Sequence, residues 1–230
     1  MSSRRIEYLP RPPQNAMDHM GFVLEPGRSI NQALSRTSLG GSDPDGCVIQ
    51  LTPGIHQYEG GAGLTIARKR VRIQGAGWRQ TTLRNVTGGS GALIRVEGEE
   101  VVISDLAIDD ASTSQPSIVV VADRVTIERV WFKDCFMAIN VDGADWVRVM
   151  DNHIVASRVS SYAIFFDNTC DSIRCSGNTI EQTGQTTSIY AGDSVSNFTA
   201  TGNVCATISY KSTGANNTDA GNAAAVTARP

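Results

Sequence analysis

Two aspartates, Asp142 and Asp167, stand 25 residues apart, each just after an apolar run of the same form. If those runs are neighbouring parallel strands, the two carboxyls face the same way at the strand spacing of roughly 4.8 Å. A carboxylate pair about 5–5.5 Å apart is the constellation of a retaining glycosidase, one group acting as nucleophile and the other as acid and base. Asp142-Gly143 and Asp167-Asn168 are also ordinary turn dipeptides, so a turn role stands beside the catalytic one. Trp131 and His153 form a second pair, suited to gripping a sugar ring or a partner protein. Arg148 and Arg174 form a third, at one outward position of successive runs. The five cysteines are odd in number and have no zinc-type spacing with histidine, so they read as buried free thiols. No cofactor motif and no metal-ligand set is present in the chain.

What positions these residues is a near-period of about 25 residues. Apolar or small residues recur at a start position, then two, five and seven residues on. Examples are Val101, Ile103, Leu106 and Ile108, then Val125, Ile127, Val130 and Phe132. The starts Val71, Val101, Val125, Val147, Ile173 and Phe198 are separated by 30, 24, 22, 26 and 25 residues. The first pair has strand periodicity. The step from +2 to +5 breaks the alternation and marks a corner. Asn152, Asn178 and Asn203 take the +5 place in three consecutive repeats. A buried Asn is costly alone, but stacked amides can bond one another in a ladder. A third apolar run precedes each unit, with Leu93, Ile118, Ile139, Ile164, Ile189 and Ile208 in one inward column. Three short strands per turn, each pairing with its equivalent one turn on, predict an all-β parallel solenoid.

Residues 26–85 sharpen this expectation. A short helical stretch opens with Ser29-Ile-Asn-Gln32, a capping-box pattern. Then come Val48-Ile-Gln-Leu-Thr-Pro-Gly-Ile-His-Gln-Tyr58, Val71-Arg-Ile-Gln-Gly-Ala-Gly77 and Thr81-Thr-Leu-Arg84. This order resembles the first coils of the pectate-lyase-like right-handed parallel β-helices. The resemblance covers about residues 26–210 and implies about six to seven coils with an N-terminal capping helix. It does not choose an activity, because the superfamily holds lyases, hydrolases, epimerases and phage proteins. The Asp-rich motifs of polygalacturonases are not recognisable here. Neither is the calcium-binding Asp set, with its catalytic Arg, of pectate lyases.

Three segments are expected. Residues 1–25 read as an extended arm outside the solenoid, with Pro10, Pro12 and Pro13 followed by Met17, Met20, Phe22 and Leu24 as docking residues. Residues 26–211 form the solenoid. Residues 212–230 are polar and small, and read as a tail without its own core. The outward column of the third strands is read as Thr65, Ile94, Val119, Asn140, Phe165, Tyr190 and Ser209. Its apolar members, Ile94, Val119, Phe165 and Tyr190, predict a contact with copies of the same chain.

A net charge of −3 offers no basic field for nucleic acid, and no stretch is apolar enough to span a membrane. The N-terminus has no apolar h-region of a signal peptide. By resemblance to phage β-helix proteins, which commonly form trimers, these features predict a structural virion protein that is not an enzyme. It would be made in the host cytoplasm and displayed on the virion surface as a homotrimer. It would decorate or cement the head, or form a short fibre, held to other virion proteins by its arm. A host glycan is its possible ligand. The alternative is a polysaccharide lyase or glycoside hydrolase using Asp142 and Asp167. A glycan-binding module using Trp131 and His153 is a third reading.

Overall fold

The computed structural model describes residues 20–36, 46–58, 63–85, 91–110, 114–156, 162–182, 187–211 and 216–229. The chain winds as a parallel β-solenoid with three strands per coil. The first stack runs Met20–Leu24, Cys47–Leu51, Val71–Gln74, Val102–Ser104, Thr126–Glu128, Arg148–Met150, Arg174–Ser176, Thr199–Thr201 and Thr218–Ala220, in that order. The second stack begins at Gly54–Tyr58 and continues through Thr81–Asn85, Ala107–Asp110, Trp131–Lys133, His153–Ala156 and Thr179–Gln182. The third stack runs Leu64–Ile66, Ile94–Val96, Pro116–Val120, Met137–Asp142, Tyr162–Asp167 and Thr187–Ala191. The long strand Val204–Lys211 turns the corner and belongs to both the second and third stacks.

Strand pairing places equal repeat positions side by side. Ile103, Ile127, Val149, Cys175 and Ala200 form one inward column, and Ile118, Ile139, Ile164, Ile189 and Ile208 another. These side chains are fully or almost fully removed from water and fill one continuous core. The Asn ladder is present and one rung longer than expected. Asn152 donates its amide to the Asn178 carbonyl oxygen (3.0 Å), Asn178 to Asn203 (2.9 Å) and Asn203 to Asn222 (3.0 Å). Each amide also donates to a backbone carbonyl in the preceding coil: Ile127, Val149, Cys175 and Ala200 in turn.

The corners need left-handed backbone. The residue before the Asn column has a positive φ at Asp105, Arg129, Asp151, Gly177, Gly202 and Gly221. Gly177 is required twice over, since its φ is +67° and the Asp151 carboxylate fills the space a side chain would need. At the N-terminal end, the helix Ile30–Arg36 is capped by Ser29, whose hydroxyl accepts from the Gln32 amide at 3.3 Å. Ile30 and Ala33 are buried on the core side of that helix.

Three expectations are corrected. Met20–Leu24 is not part of an arm outside the solenoid: it pairs in parallel with Cys47–Leu51 and buries Phe22 and Leu24 in the core. Apolar alternation at Phe22 and Leu24 is strand periodicity, and the core rewards it. Met17 lies outside the described residues. Residues 216–229 are not a tail outside the fold, because Thr218–Ala220 and Ala223–Arg229 add a further coil. Ladder amides and backbone pairing hold that coil more than apolar burial does, which hides it from a hydrophobicity reading. Ile94 faces inward and is fully buried. It pairs with Ile118, so Arg95, not Ile94, stands beside Val119 on the outer face, with Glu97 at 2.8 Å from its guanidinium. The run at 92–96 is offset by one residue, and a one-residue slip exchanges the two faces of a strand.

Candidate active site

Every third-stack strand from Pro116 to Ala191 carries two consecutive buried residues before its outward position: Ser117-Ile118, Ala138-Ile139, Ala163-Ile164 and Ser188-Ile189. The small residue of each pair lets the strand shift, so the residue three before the outward column also faces out. On Tyr162–Asp167 this brings Tyr162, Phe165 and Asp167 to one face, all half-buried. Phe165 pairs with Tyr190 and Asn140, and Asp167 with Asp142.

Three aromatic rings meet there. Tyr162 and Phe165 stack with centroids 4.9 Å apart and planes 28° from parallel. Tyr162 and Tyr190 lie 4.5 Å apart, and Phe165 and Tyr190 5.5 Å. Next along the same strands, Asp142 and Asp167 sit directly opposite one another in the ladder. The Asn168 side-chain amide donates to the Asp142 carboxylate and fixes its orientation. Asn168 is left-handed (φ +53°), a conformation Asn tolerates better than most residues. The next position in the carboxylate column is Gly192, whose amide donates to the Phe166 carbonyl at 2.8 Å. A Cβ there would lie 3.4 Å from Asp167 Oδ1, so glycine lets the buried backbone of the next coil pack close against that carboxylate. Beneath the turn, the buried Cys170 thiol donates to the Asp167 carbonyl at 2.8 Å. Burial pushes that thiol's pKa up, so it stays a neutral donor.

Trp131 and His153 lie on another face, paired outward on the second stack. Their ring centroids are 6.0 Å apart, steeply inclined. Trp131 is not an open platform. The Trp78 ring meets it edge-to-face at 5.2 Å, and the Lys133 ammonium sits 4.5 Å over it. Its indole nitrogen is buried without a hydrogen-bond partner. His153 lies 3.5 Å from Glu181. Arg148 and Arg174 pair outward on the first stack, as expected, and are exposed. Among the described residues, no group of three or more His, Cys, Asp or Glu is placed to hold a metal ion.

No family model and no curated protein matches this sequence. Solved structures do. The catalytic domain of a GH87 α-1,3-glucanase in complex with nigerose superposes over 92% of this chain, with a TM-score of 0.64 and 15% identity. Pectin methylesterase PemA from Erwinia chrysanthemi superposes over 79% of it, with a TM-score of 0.56 and 16% identity. The chain shares the parallel β-helix fold of these structures. It spans 39% of the glucanase chain and 61% of the PemA chain.

At this identity the likeness establishes the fold, and the chemistry must be read from this β-helix's own residues. The comparison nevertheless overturns the expectation of a chain that is not an enzyme, because both neighbours are carbohydrate-active enzymes on this same scaffold. Nothing in it supports a virion role. Of the residues singled out from sequence, the β-helix brings Asp142, Asp167, Phe165 and Tyr190 onto one face, with Val119 two coils before Phe165. It sets Trp131 and His153 apart from them. Tyr162 escaped notice because strict alternation puts it opposite Phe165. The repeated small-Ile pair was the signal that could have revealed it. Trp78 and Trp146 escaped because they lie in turns, outside the apolar pattern.

Proposed function

We propose that this β-helix is a polysaccharide-cleaving enzyme of the glycoside hydrolase type, with Asp142 and Asp167 as its carboxylate pair. One observation carries the reading: two aspartates in direct register on an outer sheet face, beside an aromatic cluster on the same strands. Neighbouring strands are roughly 4.8 Å apart, which matches the roughly 5–5.5 Å separation of retaining pairs. Asp142, oriented by Asn168, is assigned as the nucleophile at the anomeric carbon. Asp167, packed against Gly192 of the next coil, is assigned as the acid that protonates the departing oxygen and then as the base that activates water. The rings of Tyr162, Phe165 and Tyr190 offer a stacking surface for the apolar faces of sugars.

Hydrolysis fits better than elimination. A lyase must neutralise a uronate carboxylate and abstract a proton, work suited to Arg or Lys. The four third-stack strands from Pro116 to Ala191 contain neither.

The test is release of reducing ends from a polysaccharide panel that includes α-1,3-glucan and methyl-esterified pectin. Asp142→Asn and Asp167→Asn keep side-chain volume and should each lower the rate by about 10²–10⁴-fold. Retention of anomeric configuration, followed by NMR, should accompany cleavage. No product across the panel, or unchanged rates in both variants, refutes the assignment.

A further inference from the structure

Trp146 is the exception in a column. The residue one or two places before each first-stack strand from Val71–Gln74 onward is left-handed, at Arg70, Glu100, Arg124, Trp146, Ser172, Asn197 and Asn216, with φ between +49° and +60°. The other six are polar. Trp146 is an aromatic residue that is 60% exposed. A bulky residue in left-handed backbone is uncommon, and such placements concentrate at functional sites.

Its turn is braced on both sides. The Asp145 amide donates to the Asp123 carboxylate at 2.9 Å, and the Asp171 amide to the Asp145 carboxylate at 2.8 Å. The Arg124 amide donates to the Asp145 carbonyl and the Trp146 amide to the Asp171 carbonyl, each at 2.9 Å. The Asp171 carboxylate ties the next turn in the same way, and the hydroxyl of Ser196, then the amide of Asn197, then the hydroxyl of Ser172 hold that carboxyl's pKa below the usual range. An exposed indole on a fixed turn loses little conformational freedom when a ligand lands on it.

Trp146 stands four residues beyond Asp142, on the turn that leaves the same strand. Four residues reach at most about 14 Å. On the other side, Phe165 precedes Asp167 by two residues of strand, about 7 Å. Along a coil the outer surface therefore reads aromatic cluster, carboxylate pair, indole. Charge adds a second constraint. The four third-stack strands carry no Lys or Arg but present two carboxylates, and a polyuronate would meet them with like charge. Arg95, on the preceding third-stack strand, is paired with Glu97, and the exposed Arg148 and Arg174 lie beyond Trp146 on the first stack, past the carboxylates.

From these placements we infer that the site takes a neutral pyranose polysaccharide lying along the strands. Trp146 stacks one sugar and the Tyr162–Phe165–Tyr190 cluster stacks others on the far side of the carboxylates, so cleavage is internal. This rests on the proposed hydrolase site and names its substrate class and an additional binding residue.

The experiment uses the full chain carrying Asp167→Asn, so that binding is read without turnover. Soluble α-1,3-, α-1,4-, β-1,3- and β-1,4-glucans are compared with polygalacturonate and alginate by affinity electrophoresis, with intrinsic fluorescence as a second readout. At least one glucan is expected to bind, and neither polyuronate. Trp146→Asn, the residue the column already uses at Asn197 and Asn216, should weaken that binding by about tenfold or more without lowering the melting temperature. Tighter binding of a polyuronate, equal binding by Trp146→Asn, or no binding of any glucan overturns the inference. Binding that depends on Trp146 in a protein releasing no reducing ends refutes the hydrolase reading and leaves this one standing. Hydrolysis with no dependence on Trp146 does the reverse.

Discussion

Asn178 is the most instructive single position in this solenoid, because its side chain is fully buried among partners on both sides. Its carbonyl oxygen accepts from the Asn152 backbone amide at 3.1 Å and from the Asn152 side-chain amide at 3.0 Å. Its own amide donates to the Val149 carbonyl and to the Asn203 side chain, each at 2.9 Å. Asn178→Ala strands the Asn152 backbone amide, one Asn152 side-chain proton and the Val149 carbonyl. At about 1–3 kcal/mol for each of these three orphaned groups, the expected loss is roughly 3–9 kcal/mol. That is a large share of the roughly 5–15 kcal/mol that holds a typical domain together. Asn178→Asp keeps the volume but replaces the donor with an acceptor facing two acceptors, the Val149 carbonyl and Asn203 Oδ1, and buries a charge, so it should be at least as damaging. Asn222 makes the same kinds of bond, to Asn203 and the Ala200 carbonyl. It sits in the last coil, where its strand neighbours are exposed and water can take its place. Asn222→Ala should cost only about 1 kcal/mol. Urea unfolding followed by circular dichroism reads the difference: at a slope of roughly 2–3 kcal/mol per molar urea, the Asn178→Ala midpoint falls by about 1–4.5 M. Equal midpoints for Asn178→Ala and Asn222→Ala would refute the ladder as a buried constraint.

Other consequences are simpler to read. Phe22→Ala and Leu24→Ala should each cost about 2–5 kcal/mol, as core truncations do; a melting temperature unchanged in both would return Met20–Leu24 to an arm outside the fold. Ile164→Asp should give no soluble protein, since the core offers a carboxylate no partner. Thr126→Asp, on an outward position of the first stack, should be tolerated, and like behaviour of the two variants would invalidate the inward and outward assignment. Tyr210 donates to the Asp219 carboxylate at 2.6 Å, and this bond, aided by burial, pushes its pKa up to about 12. The folded state therefore favours the neutral phenol. That stabilisation is complete below the ordinary tyrosine value of about 10 and is lost as pH rises from there through about 12. Near-UV titration should find one late tyrosine that Asp219→Asn returns to the ordinary range. Uniform titration of every tyrosine in the wild type would detach the last coil from the core.

The repeat determined most of the architecture without any tertiary information. Apolar residues at fixed offsets force inward columns, because a side chain every second residue must share a face. The Asn at +5 could be read as a ladder, because a buried amide without a stacked partner is too costly to recur. The Asp142–Asp167 register followed from the same spacing. Four things needed the folded chain. The offset of Ile94 could not be read, since Leu93 and Ile94 are both apolar and both buried, and pairing alone decides which aligns with Ile118. The last coil was hidden because hydrogen bonds from Asn217 and Asn222 hold it, and these leave no hydrophobic signature. Phe22 and Leu24 belong to the core because Cys47–Leu51 lies beside them, across a stretch of chain with no repeat spacing. Trp146 came last. A turn residue has no periodic neighbours to fix its direction, so only the closed coil shows that it follows the carboxylate pair into solvent.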